Sequence, residues 1–200
     1  MIDKIKDYKQ IYDLFKKYNY VFFNKKAYDL NIFAIRSKNR IADSFDDVLG
    51  CAYLDDSGKE CLFKCWCTVD PGNYYLKNLM DSGGAAAIVP GQYKKVWQLG
   101  YFKGTHALMQ IRPFHIFLDK NKDNILDFDK NTITSGIYGI FLHESFQKLE
   151  EAHNISNSSA GCVVPKIKKD NKNLTRLCYR KIYSNLGDVF TFTLFDEDDL

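Results

Sequence analysis

The chain lacks long apolar runs. No stretch of about 18 apolar residues occurs, so no membrane insertion is expected. Residues 1–7 hold no apolar signal core, so synthesis in the cytoplasm without a signal peptide is expected. A strong excess of one charge is also missing. The formal net charge is only +3, and nothing in that balance demands a nucleic acid partner. The six cysteines contain no C-x-x-C pair, which removes the usual zinc and redox signatures. Without an export signal they read as thiols, with Cys51, Cys61, Cys65, Cys67 and Cys178 packing as small buried hydrophobes. No Pro/Ser linker and no solenoid repeat divides the chain, so one domain over 1–200 is expected.

What is abundant is aromatic. Fifteen Phe, 13 Tyr and 2 Trp, many alternating with other residues, favour strands. Apolar positions at Ile5, Tyr8, Ile11, Tyr12, Phe15 and Tyr18 have helical spacing, which predicts an N-terminal helix over 1–20 packed on the body. A β-rich body is expected over 28–165. Its strand candidates are 31–36, 47–53, 61–67, 95–99, 106–112, 115–118 and 137–142. Asp55-Asp-Ser-Gly58 is a hairpin signal. Pro71-Gly72 and Pro90-Gly91 read as turns leading into strands, and 81–87 as a loop or close-packed bend. The segment 171–195 reads as a helix and a strand, followed by a frayed acidic end at Asp196–Asp199. The expected class is α+β, mainly β.

Two residues suggest chemistry. His143 closes an apolar run, and Cys162 opens another after a polar loop. A strand fixes an imidazole while a loop exposes a sulfur, which is a workable base and nucleophile pair. A free thiol is mostly protonated at neutral pH, and a neighbouring imidazolium stabilises the thiolate. Gly161 permits a tight turn that leaves the amides of Gly161 and Cys162 facing a developing oxyanion. Ser159 either orients His143 or holds the loop. His153, between base and nucleophile, reads either as a groove residue or as a surface group. The plain alternative for Cys162 is a structural thiol.

The order His143, fifteen residues, then Ser159-Ala160-Gly161-Cys162 resembles the signature of the L,D-transpeptidase catalytic domain family. Thr68-Val-Asp-Pro-Gly-Asn-Tyr74 is similar to that family's Thr-x-Pro-x-Gly-x-Tyr/Phe segment, offset by one residue. The resemblance covers roughly residues 60–165. It implies a β-sandwich-like fold and a cysteine acyl-transfer enzyme acting on peptidoglycan stem peptides, with no required cofactor. Cys162 is then the nucleophile, His143 the base and acid, and the Gly161 and Cys162 amides the oxyanion donors. Substrate contacts are implied at His153 and at positions 160 and 164. The chain departs from the family at three places: Glu144 for Gly, Ala160 for His or Arg, and Val164 for Arg or Asn. The missing Arg removes a substrate-carboxylate clamp; Lys166, Arg176 and Arg180 are candidate substitutes. Size and C-terminal layout are similar to bacteriophage-encoded versions, which places the action at the cell wall after release, or in the virion. The departures motivate a second expectation, a non-catalytic structural or binding module on a degenerate form of the same fold.

The loop from Asp119 to Asp129 carries oxygen side chains at Asp119, Asn121, Asp123 and Asp127, with Asp129 near its end. That spacing resembles an EF-hand-type loop, so a structural calcium is a second expectation, with Asn124 taking the left-handed turn. Ordinary hairpin turns explain the same residues.

Overall fold

A computed structural model describes all of residues 1–200. It is mainly β, with ten strands and three α-helices. β1 (Asn31–Arg36), β2 (Asp47–Leu54), β3 (Glu60–Thr68), β5 (Gly91–Phe102), β6 (Thr105–Gln110), β9 (Val164–Pro165) and β10 (Val189–Asp196) form one sheet in the order β6-β5-β10-β1-β2-β3-β9. β4 (Ala85–Ile88), β7 (Phe114–Asp119) and β8 (Thr134–Gly136) form a second sheet in the order β4-β7-β8. The chain's last strand therefore lies inside the large sheet, next to the central strand β1 and parallel to it, and antiparallel to β5.

Period-two alternation gives the large sheet two apolar faces. Ile32, Ala34, Leu49, Cys51, Cys65, Cys67, Phe192 and Leu194 join one core with Trp97, Phe114, Ile116, Leu174 and Cys178. Here the sheet meets the small sheet and α3 (Lys168–Tyr183). Phe33, Ile35, Val48, Ala52 and Phe195 turn the other way and pack with Ile11, Leu14 and Phe15 of α1 (Tyr8–Lys17). Gly50 is required on that face, because a Cβ there would lie 2.2 Å from the Phe33 ring. No helix is long and apolar enough to cross a membrane.

Several expectations are corrected. Pro71-Gly72 leads into a helix, α2 (Asn73–Lys77), rather than a strand. Ala85–Ile88 is a strand; pairing with β7 overrides the weak strand preference of three alanines. Residues 137–140 form no ladder. Gln110 Oε1 accepts the amides of Tyr138 and Ile140, and Trp97 Nε1 donates to the Ile140 carbonyl, so side chains satisfy this backbone. Helix α3 begins before 171, because Glu150 caps it from outside: its carboxylate accepts the Lys169 amide at 2.7 Å. The acidic end is not frayed. It forms a 3-10 turn, Glu197–Asp199, tied to Lys4, Lys38 and Tyr18.

Candidate functional site

Residues 141–143 join the two free edges of the large sheet. Leu142 exchanges both backbone bonds with Leu108 of β6 and bridges Val163 in parallel. The His143 amide donates to the Val163 carbonyl, and the Val163 amide donates to the Phe141 carbonyl. Leu142 and Val163 both point into the core. Alternation then puts Phe141, His143 and Cys162 on the opposite face. The sequence pair is thus brought onto neighbouring strands, offset diagonally.

Each group has its own partners. The Cys162 thiol donates to the Gly139 carbonyl at 3.5 Å, and its sulfur accepts the Phe141 amide at 3.4 Å. His143 Nδ1 lies 2.8 Å from the Glu144 carbonyl. A carbonyl only accepts, so in the neutral ring Nδ1 carries the proton and Nε2 keeps a free lone pair. The departure at Glu144 is therefore harmless to this contact, since only its backbone is used. No hydrogen bond joins the ring to the sulfur. The ring stacks on Phe146, with centroids 4.9 Å apart, and tilts against Phe102. Lys103 sits over the far ring, 3.6 Å from the Phe146 centroid.

Burial sets the protonation states. It lowers the His143 pKa to about 4, with Lys103 adding to the effect. Cys162 keeps some exposed surface, yet the packing around its sulfur pushes the thiol up to about 11. The expectation of an imidazolium stabilising a thiolate is corrected: at neutral pH both groups are uncharged. The sign for stability follows. The His143 contribution is complete above pH 6.5 and is lost as pH falls towards 4, because the unfolded chain binds the proton first. Phe146→Ala should rehydrate the ring and move the His143 pKa up from about 4 towards 6.5. Imidazole NMR titration reads this directly; an unmoved midpoint contradicts the burial argument.

The nucleophile loop differs from its expected form. Ser159 does not orient His143. Its hydroxyl lies 2.9 Å from the Asp70 carbonyl and 2.8 Å from the Cys162 carbonyl, and its oxygen accepts the Gly161 amide at 3.1 Å. Gly161 N–H is therefore occupied, and the Cys162 amide alone remains free for an oxyanion. Gly161 itself is demanded twice over: its φ is +116°, and a Cβ would stand 2.4 Å from the Ala86 carbonyl oxygen. Gly161→Ala should cost about 1–3 kcal/mol, read by urea denaturation. An unchanged midpoint would show that the loop yields freely.

The two segments that carried the resemblance touch. The Gly72 amide donates to the Ser159 carbonyl, and a Cβ at Gly72 would lie 2.1 Å from the Ser156 carbonyl oxygen. Asp70 beside them is ion-paired with buried Arg36 at 2.9 Å, a pair the sequence reading missed. Phe102, Lys103 and Phe146 were missed as well, since aromatic residues are too common in this chain to single them out.

Other candidates fall elsewhere. Val164 is buried in β9 opposite Thr68, so it is not a substrate contact. His153 is exposed, on a loop held by Gln147. Lys166 is paired with Glu151, and Arg176 and Arg180 lie with Tyr179 and Tyr183 on α3. Ala160 lines a cavity of about 260 Å³ against the small sheet. In the acidic loop, Lys122 rather than Asn124 adopts the left-handed conformation. Asp119 accepts the Asp127 amide, Asn121 the Asp123 amide, Asp123 the Ile125 amide and Asp129 the Asn131 amide. Three of these bonds reach two residues along the chain and form turns, and the Asp127 amide reaches back eight residues to Asp119. Compared with protein-family models, with curated proteins and with solved structures, the chain finds no match.

Proposed function

We propose that the protein is a cysteine acyl-transfer enzyme acting on peptidoglycan stem peptides, on a β-sandwich-like relative of the L,D-transpeptidase fold. The observation that carries this is the placement of Cys162 and His143 on one face of two paired strands, with Nε2 left as a free proton acceptor. In this reading the thiol proton passes to Nε2 as sulfur attacks the carbonyl of the stem's diamino acid. The Cys162 amide meets the oxyanion. The bond to D-alanine breaks, its amine takes the proton from His143, and a thioester remains. Water or an amine then releases the acyl group and restores the thiol.

The closed packing supplies a control step. With Phe146 over the ring, proton transfer starts from a weak base and a weak acid. Substrate that displaces Phe146 rehydrates the His143 ring and raises its pKa towards the usual imidazole range. The same closed packing, with the Gly161 amide taken, favours a second reading, a non-catalytic wall-binding or virion module. Incubation with a stem tetrapeptide and an isotopically labelled amine separates the cases. Free D-alanine supports acyl transfer, and the label's incorporation distinguishes amine from water. No D-alanine across pH 5–10 favours the binding module.

A further inference from the structure

We infer that the cavity beside Cys162 selects an acyl donor whose side chain ends in an alkylammonium and bears no second carboxylate, with Asp81 as the charge partner. This rests on the acyl-transfer reading and names the substrate class of that same site.

Cys162 and His143 do not line the cavity; it is linked to the nucleophile through two of its lining residues. Ala160 of the Ser-x-Gly-Cys segment lines it, and so does Tyr138, next to the Gly139 carbonyl that accepts the thiol. Its walls are apolar: Ala85 and Ala86 of β4, and Ile116 and Leu118 of β7. Such walls suit methylene groups. Eight of its 11 lining residues are hydrophobic, and none is Lys, Arg or His. Its one carboxylate is Asp81, which is exposed and makes no salt bridge. Asp81 Oδ1 accepts the Gly83 amide at 2.6 Å, which restrains the carboxylate, and Oδ2 makes no hydrogen bond within the protein. Tyr75 and Tyr138 add aromatic surface to the lining.

A carboxylate entering this space finds no positive partner and one like charge. Position 164, where a cationic clamp was expected, holds a buried Val. Lys103 and Lys168 line a separate cleft with Glu144 and Phe146. A carboxylate beside Asp81 meets only repulsion, whereas an ammonium gains a charge-assisted hydrogen bond. The site therefore fits a lysine-type residue better than a diamino acid carrying a second carboxylate.

The test uses the full-length Cys162→Ala protein and calorimetry. Two stem tetrapeptides differ only at the third residue, L-lysine in one and meso-diaminopimelate in the other. The lysine peptide should bind at least about tenfold tighter. Adding Asp81→Asn, which keeps the acceptor for Gly83, should remove most of that gap. Equal affinities, a reversed preference or an Asp81→Asn variant with no effect overturns the inference; the acyl-transfer reading survives if the wild-type protein still releases D-alanine. Absence of binding by either peptide, together with no D-alanine release, overturns both.

Discussion

Cys162→Ala should reduce release of D-alanine from a stem tetrapeptide by about ten-thousandfold or more, while the fold persists. On the proposed acyl-transfer reading the loss is large because the sulfur is the atom that would bond to the substrate, and no neighbour replaces it. Of the other thiols, Cys51, Cys65, Cys67 and Cys178 are buried in the core, and Cys61 lies at the start of β3, in the hairpin facing Asp55. The fold persists because the Cys162 thiol makes only two long contacts, to Gly139 and Phe141, while the backbone of this segment is held by Val163 and Ser159. Stability should change by no more than about 1 kcal/mol. Circular dichroism on heating verifies the fold, and amino-acid analysis reads the turnover. Undiminished turnover removes Cys162 from the chemistry.

Asp70→Ala should destabilise the protein by about 3–5 kcal/mol. Arg36 is among the largest fully buried side chains, and its guanidinium lies 4.4 Å from the Phe128 ring centroid. Its Nε donates to Asp70 at 3.2 Å. The 2.9 Å contact from Nη2 is an ion pair too bent to count as a hydrogen bond, so neither terminal nitrogen has a hydrogen-bond partner. Removing the carboxylate leaves a buried charge whose remaining acidic neighbours, Asp47 and Asp196, are not hydrogen-bonded to it. Arg36→Met combined with Asp70→Ala should recover much of the loss, since the uncompensated charge goes with its partner. Denaturant melts of the two single variants and the double variant measure this. A double variant as unstable as the sum of the singles would contradict it. The pair also bears on the site: the Asp70 carbonyl meets the Ser159 hydroxyl 89 positions away, so loosening it should disturb the nucleophile loop.

The readable parts of the sequence were those governed by local pattern. β1 was legible to the residue because six consecutive apolar-rich positions face two cores, and the β2–β3 hairpin because Asp55 and Gly58 form its turn. Residues 137–140 looked like a strand by composition and are not one, because their backbone partners are Gln110 and Trp97 side chains from β5 and β6. In the acidic loop, turn-capping Asp and Asn repeat at the same spacing as calcium ligands, so spacing alone does not separate the two roles. At the site, the order of His143 and Cys162 suggested a pair, and the bridge through Leu142, which no motif shows, sets them on one face. The covering of His143 by Phe102 and Phe146 arises from two separate hairpin and loop segments, which no spacing rule connects. Asp81 likewise gains meaning only from the cavity it borders.

The most direct test of the Cys162–His143 pair is the intact mass of the protein quenched in acid shortly after mixing with a stem tetrapeptide. The account predicts a mass increase equal to the tripeptide acyl group, localised to Cys162 by peptide mapping, labile to hydroxylamine and strongly diminished in His143→Ala. An unmodified mass at every time and pH tried, or an adduct on another residue, would contradict it.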